Sequence, residues 1–331
     1  MKTLIIAEAG VNHNGDLNTA LKLCDVAKSC GADVVKFQTW ITDKIITKNV
    51  AKADYQKENT NSNDSQYDML KKLELSQNDF RTIKKHCDEI GIIFASTADD
   101  KDSLDFLVYL GIPFIKVGSG DIGNVSYLRY IGSKNLPVIL STGMSTLEDI
   151  NISLAALKQG GAKDISLLHC TTNYPCPYDS VNLNAIDTLR KEYNLPIGYS
   201  DHTKGIEVSI AAVSKGATII EKHFTLDKNM DGPDHLASTE PQEFKQMVDS
   251  IRNIEKALGD GKKVPTNDEL NISKVVFKRI VATKQIRKGE IITEDVITCK
   301  RNETGELASN WDDVVGKVAN KDYSIDEGIV L

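Results

Sequence analysis

The strongest constraint on the fold of this chain is a regular alternation of short apolar segments with stretches of helical periodicity. The apolar segments are rich in β-branched residues, and most are followed by a helical pattern, such as Leu17, Ala20, Leu21, Cys24 and Ala27 after the first. Such alternation predicts parallel strands joined by crossover helices. The eight predicted strands are 4–7, 34–37, 92–95, 114–117, 138–140, 165–168, 196–199 and 218–220.

Eight strand and helix units within residues 1–258 favour a TIM (β/α)8 barrel, a fold of the α/β class. The alternative is a doubly wound sheet, which usually has fewer units and needs a glycine-rich dinucleotide loop. The segment Gly118-Ser119-Gly120 is too short to form that loop. The barrel is therefore the predicted architecture.

Two helix starts carry recognisable capping patterns. Ser145, followed three residues later by Glu148, predicts a capping box at the start of one outer helix. Ser238 or Thr239 ahead of Pro241 predicts the start of the last barrel helix. Both patterns place the start of a helix after a predicted strand.

Residues 39–75 interrupt the regular spacing, because a long polar stretch separates the second strand from its helix. Tyr55, Gln56, Gln66 and Tyr67 lie within this stretch. A long loop at this position of a barrel is usually a lid or a substrate-binding loop. The alternative is a mobile surface insertion.

The C-terminal part of the chain has a different character. Residues 259–272 begin with a run of glycine, charged residues and proline that predicts a linker, and residues 273–331 predict a small β-rich domain. Two related phrases, 286–291 and 325–329, each place a charged turn with glycine between apolar residues. A domain of this size is too small to hold a deep pocket alone.

Composition excludes several classes of function. The chain has 40 Lys and Arg against 47 Asp and Glu, and the resulting net charge of −7 is spread along the sequence. This argues against nucleic acid as a partner, because binding phosphates needs a basic face. No segment approaches the ~20 apolar residues that span a bilayer, and the N-terminus lacks a secretory signal. Six cysteines without CxxC pairing favour reduced thiols in a cytoplasmic protein.

Polar residues follow or end every predicted strand, at the rim where barrel enzymes carry their sites. Lys36 and Lys116 supply positive charge, and hydroxyl groups supply neutral donors, so together they suit an oxyanion such as a phosphate ester. The alternative for each lysine is an ion pair in the barrel mouth. The rim hydroxyls include Ser119, Ser141, Ser200 and several threonines.

His202 and His223 lie at the ends of consecutive strands. Neighbouring parallel strands are about 4.8 Å apart, so imidazoles at matched heights can share one divalent metal. Two protein ligands would leave positions for water and substrate, which favours a Lewis acid. The alternative is an ordinary hydrogen-bonding histidine, which is how we interpret His169, while His13 and His235 stay open.

Three acidic residues complete the predicted site. Glu8 ends the first strand, Glu221 shares a strand face with His223, and Asp234 lies in the loop that follows. A carboxylate near a metal-bound water can act as a base or orient that water. The alternative is a structural network of ion pairs.

Five phrases of the barrel segment are distinctive: IAEAGVNHNG at 6–15, VKFQ at 35–38, LSTGM at 140–144, GYSDHT at 198–203 and EKHFTLD at 221–227. In this order, they resemble the sialic-acid synthase family. The last segment resembles the family's antifreeze-protein-like (SAF) domain in residues 286–290 and 298–301. Enzymes of this family condense phosphoenolpyruvate with an N-acetylated mannose-type sugar to give a nine-carbon sugar acid.

The resemblance implies a role for each matching position. His202 and His223 would hold Mn²⁺, or Mg²⁺ or Co²⁺, with Glu221 on a metal-bound water and Glu8 handling protons at the tetrahedral intermediate. Arg301 would reach the sugar's N-acyl group from the partner chain of a domain-swapped homodimer. The residues implied to surround phosphoenolpyruvate are Lys36, Thr97, Lys116, Ser119, Ser141, Thr172 and Ser200. Those implied to face the sugar are Gln38, Tyr174, Asp234 and Arg301.

The chain departs from the family pattern at two places. Ala98-Asp99 stands where family members usually have Pro-Phe, which changes the rim after the third strand. Asn302-Glu303 stands where they usually have Pro-Gly, which bears on the orientation of Arg301.

The sequence thus predicts a metal-dependent condensation in which the phosphate leaves by C–O cleavage. The acceptor stays open between N-acetylmannosamine and 2,4-diacetamido-2,4,6-trideoxymannose. One rival is a barrel aldolase that forms a Schiff base through Lys36, Lys116 or Lys222. The other rival is a non-catalytic sugar-binding protein.

Overall fold

The computed structural model describes residues 2–52 and 65–331. Within the long polar stretch, helices form at Thr42–Ile45 and Gln66–Leu73. Tyr55 and Gln56, which were predicted to belong to a lid or substrate loop, lie outside the described residues.

In the described part of the chain, eight parallel strands close into one barrel, with each strand paired to the next and the last paired to the first. The predicted TIM barrel is therefore confirmed. The strands are β1 (Leu4–Gly10), β2 (Val34–Thr39), β3 (Ile93–Ala98), β4 (Ile115–Val117), β5 (Val138–Ser141), β6 (Ile165–Cys170), β7 (Ile197–Asp201) and β8 (Ile219–His223).

Helices follow the strands and cover the outside of the barrel. Their apolar faces pack on outward-facing strand residues such as Val35 and Phe37, which forms the main core. The helices of the barrel unit are Leu17–Ser29, Gln77–Ile90, Lys101–Tyr109, Val125–Gly132, Leu147–Gly160, Ala185–Tyr193, Glu207–Ser214 and Pro241–Ala257.

A second, smaller core fills the inside of the barrel. It consists of Ile6, Val34, Ala95, Phe114, Ile139, Leu168 and Ile219. Because side chains alternate along a strand, the residue two positions further on also points inward, one layer closer to the carboxyl ends. In β1 that residue is Glu8, in β2 Lys36 and in β8 Glu221. The alternation therefore places a charged layer directly above an apolar layer.

Most strands extend past their predicted ends by one to three residues, because polar residues that were predicted to follow a strand belong to it. Both predicted helix starts are wrong in detail. Thr146, and not Ser145, caps its helix in a capping box with Asp149, while the Ser145 hydroxyl donates to the carbonyl of Thr142. Glu240 is the residue that precedes Pro241, without a side-chain cap.

The second compact unit spans Asp260–Leu331. A helix at Asn267–Val276 begins inside the segment 259–272 that was predicted to be a linker, because Thr266 and Glu269 form a capping box. Two antiparallel strands follow, β9 (Lys278–Ala282) and β10 (Ile297–Arg301). A short helix of this unit lies at Trp311–Val314.

The small unit has a core of its own. Both related phrases contribute to it, since Ile286 and Ile329 are fully buried and pack with Ile280 and Tyr323. Isolated bridges, such as that between Ile286 and Tyr323, extend the β structure beyond the two strands. In the described portion of the chain, no helix has the length and apolar character needed to cross a bilayer.

Candidate active site

The carboxyl ends of the strands surround a cavity of about 190 Å³. Of the residues predicted for the site, all those in the barrel except Asp234 line it. They are Glu8, Lys36, Gln38, Thr97, Lys116, Ser119, Ser141, Thr172, Tyr174, Ser200, His202, Glu221 and His223.

Two lysines and two glutamates form the floor of the cavity. The Lys36 ammonium lies 2.6 Å from a Glu8 carboxylate oxygen and 3.7 Å from Glu221, while Lys116 lies 3.4 Å from Glu221. Lys36 also donates to the Thr97 hydroxyl at 2.9 Å, and Lys116 to the Ser141 hydroxyl at 2.8 Å. Both lysines therefore form ion pairs, as the alternative interpretation predicted. They also bind the hydroxyls of Thr97 and Ser141, which line the cavity.

The two glutamates differ in their protonation behaviour. Burial raises the pKa of Glu8 to about 7, and Glu221 adds to this rise while Lys36 opposes it. Burial alone would also raise the pKa of Glu221, but Lys116, Lys36 and a hydrogen bond from Ser200 outweigh it and lower this pKa to about 2. For Lys36, the attraction of both glutamates outweighs burial and raises the pKa of the ammonium. Near neutral pH, Glu221 and Lys36 are charged, and Glu8 exchanges its proton.

The wall beside Lys116 depends on a glycine. The Gly143 amide donates to the Ser119 hydroxyl at 2.9 Å. A Cβ atom at position 143 would lie 2.2 Å from the Thr172 hydroxyl and 2.8 Å from that of Ser119. Only glycine lets these two hydroxyls and the backbone approach each other, so they form one compact set of donors.

The two rim histidines lie close together, with ring centroids 5.6 Å apart. The His202 Nδ1 atom lies 2.7 Å from the carbonyl of Thr171; because a carbonyl only accepts, Nδ1 carries the proton and Nε2 keeps its lone pair. The His223 Nδ1 atom is buried without a hydrogen-bond partner among the described residues. Burial lowers the pKa of both imidazoles, that of His223 to about 3, so both are neutral.

These features fit a divalent cation. Neutral imidazoles are common metal ligands, and a carbonyl on the second ring nitrogen is the usual partner of a ligating histidine. Over residues 2–52 and 65–331, no group of three or more ligand-type side chains is arranged around a metal position. His202 and His223 would therefore leave the remaining coordination positions to water or substrate.

A buried ion pair lies directly behind the histidines. Lys222 donates to an Asp201 carboxylate oxygen at 2.9 Å and to the carbonyl of Thr203 at 3.0 Å. Ser209 donates to the same carboxylate oxygen at 2.6 Å, and the amide and hydroxyl of Thr203 donate to the other at 2.8 Å. Each member of the pair directly precedes a histidine, and the two are register partners across β7 and β8.

This arrangement argues against the Schiff-base rival. Lys222 points away from the cavity and is not among the residues that line it. A Schiff-base lysine must be neutral to attack a carbonyl, whereas Lys36 is held charged by two carboxylates.

The residues of the barrel that were predicted to face a sugar lie beside Glu8 and the two histidines. Gln38 donates to a Glu8 carboxylate oxygen at 3.3 Å, and the Tyr174 ring centroid lies 4.2 Å from that of His202. Asp234 has a carboxylate oxygen 4.0 Å from the His223 Nδ1 atom, and burial raises its pKa to about 6. Asp234 lines an adjoining cavity of about 130 Å³, which shares Gln38, Tyr174 and His223 with the first.

The loops after β1 and β8 are tied together by buried polar groups. Asn12 donates to the carbonyl of Phe224 at 2.9 Å and to the Ser238 hydroxyl at 2.8 Å. His235 is bonded to Thr225 at 2.7 Å.

His13 and His235, which the sequence left open, lie outside the cavity lining. His235 also lies 3.2 Å from the Asn14 side-chain oxygen and so links the two loops, whereas His13 accepts from the Gly15 amide within the loop after β1.

Sequence reasoning missed several residues of the cavities. Cys170 lines the first cavity, and its spacing of two from the inward-facing Leu168 could have revealed it. Asp99 lines the same cavity and has a pKa raised to about 7 by burial, with Asp121 adding to the rise; it follows β3 and belongs to no periodic pattern. The adjoining cavity has an apolar side, which includes Leu70, that no sequence signal marked.

Arg301 is exposed at the end of β10 in the small unit. Its register partner is Lys278. The role of Arg301 in the partner's sugar site stays a prediction.

The chain combines a closed parallel barrel, whose rim carries two lysines, two glutamates and two histidines, with a small C-terminal β unit. Residues 23–263 match the NeuB family and residues 279–330 match the SAF domain, so the chain belongs to the NeuB family. The predicted resemblance is confirmed.

Three proteins are similar to this chain in sequence or in structure. It is 49% identical to the N,N'-diacetyllegionaminic acid synthase of Campylobacter jejuni, over 98% of each chain. It is 47% identical to the enzyme of that name in Legionella pneumophila, over 96% of this chain and 90% of that one. The solved structure of an N-acetylneuraminic acid synthetase from Leptospira borgpetersenii, in complex with citrate, is 35% identical with a TM-score of 0.72, and the match covers 83% of this chain and 93% of that one.

Proposed function

We propose that this protein is a synthase that condenses phosphoenolpyruvate with an N-acetylated mannose-type amino sugar. The products are a nonulosonic acid and inorganic phosphate. The observation that carries the proposal is the cavity floor, where two lysines and several hydroxyls adjoin two neutral imidazoles and two glutamates of opposite pKa shift. The names of the relatives support it.

The floor suits the phosphate and carboxylate of phosphoenolpyruvate. Lys36 and Lys116 are fixed by their hydroxyl partners, so their charges are in place before substrate arrives. The Ser119 and Thr172 hydroxyls add neutral donors in one compact set, and the Gly143 amide orients the Ser119 hydroxyl by donating to it. An anion with two separate charged groups can therefore contact both the lysines and this set of hydroxyls.

Glu8 and Glu221 have different roles in proton transfer. In the reaction, C3 of phosphoenolpyruvate bonds to the aldehyde carbon of the open-chain sugar, water adds at C2, and the C2–O bond to phosphate breaks. Glu221 stays ionised and orients the water, while Glu8, with its pKa near 7, gives and takes the proton of the tetrahedral intermediate. Gln38 holds the Glu8 carboxylate on the side where the sugar binds.

A divalent cation, Mn²⁺ or alternatively Mg²⁺ or Co²⁺, is part of the proposal. His202 and His223 would hold it, and when bound it supplies Lewis-acid polarisation of the sugar aldehyde.

The acceptor that we favour is 2,4-diacetamido-2,4,6-trideoxymannose over N-acetylmannosamine. Two relatives at 49% and 47% identity are named as N,N'-diacetyllegionaminic acid synthases, and both matches cover at least 90% of each chain. Asp234, Gln38 and Tyr174 would face this sugar.

Two further features belong to the proposal. We place the enzyme in the cytoplasm, which agrees with six free cysteines. We also propose a domain-swapped homodimer in which Arg301 serves the partner's site. The helix at Asn267–Val276 supports this, since it buries no residue and exposes Leu270, Ile272 and Val275.

The test is phosphate release from phosphoenolpyruvate with each of the two sugars, with the sugar acid identified by mass spectrometry. Bridging ¹⁸O in the phosphate ester is expected to leave with phosphate, because the C–O bond breaks. Label retained in the sugar acid would contradict this mechanism. Borohydride trapping of substrate that is insensitive to chelators would favour the aldolase, and sugar binding without phosphate release would favour the binding protein.

A further inference from the structure

Asp99 lines the active-site cavity, yet the proposed mechanism gives it no role. It directly follows β3, the strand between β2, which carries Lys36, and β4, which carries Lys116. Thr97, at the end of β3, accepts a hydrogen bond from Lys36 and is the register partner of Lys116. Asp99 therefore lies on the part of the rim that holds the two lysines.

Neighbouring elements fix the backbone around Asp99. The Asp99 amide donates to the carbonyl of Thr39 at 3.1 Å. The Tyr127 hydroxyl lies 2.7 Å from the carbonyl of Ala98 and 3.3 Å from that of Asp100, the residues on either side of Asp99. The position of Asp99 at the rim is therefore set before substrate binds.

The Asp99 carboxyl group is half-buried and, within residues 2–52 and 65–331, takes part in no hydrogen bond or ion pair. Gly118, which follows the neighbouring strand β4, lines the same cavity. A Cβ atom at Gly118 would meet no described atom within 4 Å, so the space on this side is open. A ligand that fills the cavity can therefore reach the carboxyl group.

Most of the charged groups around Asp99 are acidic. Burial raises the pKa of the Asp99 carboxyl group to about 7, neighbouring acidic groups add to the rise, and the Lys36 ammonium, already 2.6 Å from a Glu8 oxygen, opposes it. The Tyr127 phenol is neutral, because burial raises its own pKa. Near neutral pH, Asp99 therefore exists in both forms. The neighbouring acidic groups are Asp121, Asp100 and Glu8.

An anion in the cavity changes this balance. Phosphoenolpyruvate carries a phosphate and a carboxylate, and the site proposed for both is the floor that adjoins Asp99. A like charge nearby disfavours the ionised form of a carboxyl group, whereas the protonated form has an O–H that can donate to an anionic oxygen. Bound phosphoenolpyruvate should therefore favour the protonated form of Asp99.

We propose that Asp99 binds phosphoenolpyruvate in its protonated form, with the carboxyl O–H donating to an anionic oxygen of the substrate, an inference that rests on the proposed function. Above neutral pH, the proton comes from solvent when phosphoenolpyruvate binds and returns to solvent after phosphate leaves. Asp99 is thus a binding residue that couples the affinity for phosphoenolpyruvate to proton uptake.

The test is calorimetry of phosphoenolpyruvate binding in the presence of Mn²⁺ and without sugar, so that no turnover occurs. Titrations in two buffers of different ionisation enthalpy give the number of protons taken up. At about pH 8, the wild type is expected to take up about one proton more than Asp99→Asn, because the amide cannot ionise. Glu8 and the substrate phosphate titrate in both proteins, so the difference reports Asp99.

Dissociation constants separate the loss of the charge from the loss of the donor. At about pH 8.5, Asp99→Asn should bind phosphoenolpyruvate about tenfold more tightly than the wild type, since it keeps a donor and carries no charge. Asp99→Leu also lacks the charge but has no donor. At about pH 6, it should bind about tenfold more weakly than the wild type, while Asp99→Asn should bind about as tightly.

Asp102→Asn is the matched control for the same change of side chain. Asp102 lies nearby on the outer helix Lys101–Tyr109 and pairs with Lys44 at the surface. This variant should change neither the proton uptake nor the dissociation constant. Thermal unfolding checks that all three variants fold.

Equal proton uptake by the wild type and Asp99→Asn, or equal affinities of the wild type and Asp99→Leu at low pH, would overturn the inference and leave the proposed function standing. A wild type whose binding enthalpy is the same in the two buffers would overturn it without any variant. Absence of phosphoenolpyruvate binding, together with absence of phosphate release with either sugar, would overturn the proposed function as well. The two failures are thus distinguishable.

Discussion

Glu8 and Glu221 are the same residue type in the same cavity, yet they have opposite protonation preferences. Glu221 is shared by two lysines and accepts from Ser200, so its charged form is stabilised. Glu8 is paired closely with one lysine, and the neighbouring charge of Glu221 favours its neutral form. Pairs of carboxyl groups whose pKa values diverge are typical of acid and base roles.

A pH profile tests the role of Glu8. Because its pKa is raised to about 7 in the ligand-free enzyme, the protonated form is lost as pH rises through that value, so kcat/KM is expected to fall on the alkaline side. Glu8→Gln should lower kcat and remove this alkaline decline. An unchanged alkaline decline in Glu8→Gln would assign it to another group.

The histidine pair gives a second prediction at this scale. EDTA is expected to abolish activity and Mn²⁺ to restore it, and His202→Ala or His223→Ala should each lower kcat by at least about a hundredfold, because the metal loses one of two protein ligands. Thermal unfolding should show that both variants fold. His86→Ala is the matched control, since His86 pairs with Asp25 on an outer helix. Full turnover by the metal-free enzyme would contradict this prediction.

Single residues were predictable from the sequence where they obey the strand pattern. Lys36, Lys116 and Glu221 each lie two positions after an apolar residue of the inner core, so strand position alone places them in the cavity. Asp99 and Leu70 were not predictable, since one follows a strand and the other lies on a helix within a long loop. Their positions depend on how those segments pack.

At the scale of elements, His202 directly follows β7 and His223 ends β8, and the Asp201–Lys222 pair joins these strands from the outside. The pair is almost fully buried, with side chains 0% and 2% exposed. Its hydrogen bonds to Thr203 and Ser209 satisfy the remaining polar atoms. The pair therefore fixes the height at which the two histidines leave their strands.

Removing both partners of the pair should cost less than the sum of removing each one alone. Lys222→Met leaves an uncompensated buried carboxylate and is expected to lower the free energy of unfolding by about 3–5 kcal/mol. In the double variant Asp201→Asn with Lys222→Met, no buried charge is left, so the loss should be smaller than the sum of the single losses. Urea unfolding of the four proteins measures this, and strict additivity would show that the two groups do not interact.

Elements were predictable to different degrees. All eight strands were found, because β-branched runs buried on both faces are distinctive. For most strands the predicted carboxyl end lies too early in the sequence. The apolar run that marks a strand ends where the polar residues of the site begin, although the strand continues through them. The helix at Asn267–Val276 was missed because it has no buried face and hence no apolar periodicity.

At the scale of the whole molecule, the chain joins a unit that holds a complete cavity to a unit that holds only a small core. Arg301 ends a strand of the small unit, and its planar guanidinium suits an acyl carbonyl. Arg301→Ala is expected to raise the KM for the sugar more than that for phosphoenolpyruvate. Steady-state kinetics with each substrate varied in turn measures the two values.

Subunit mixing tests whether Arg301 acts across a dimer. A verified heterodimer of a His202→Ala chain with an Arg301→Ala chain should recover one working site, because the intact barrel of the second chain receives the intact Arg301 of the first. If Arg301 serves its own barrel, every site keeps one defect. A heterodimer that stays inactive would therefore refute the swapped arrangement.

The apolar layer inside the barrel also has a kinetic consequence. Ile6, Phe114, Leu168 and their neighbours fill the interior beneath the floor, so both substrates must enter through the rim. If phosphoenolpyruvate binds on the floor as proposed, a sugar that arrives first lies between it and the rim. We therefore expect a compulsory order of addition, with inhibition by excess sugar that is competitive with phosphoenolpyruvate.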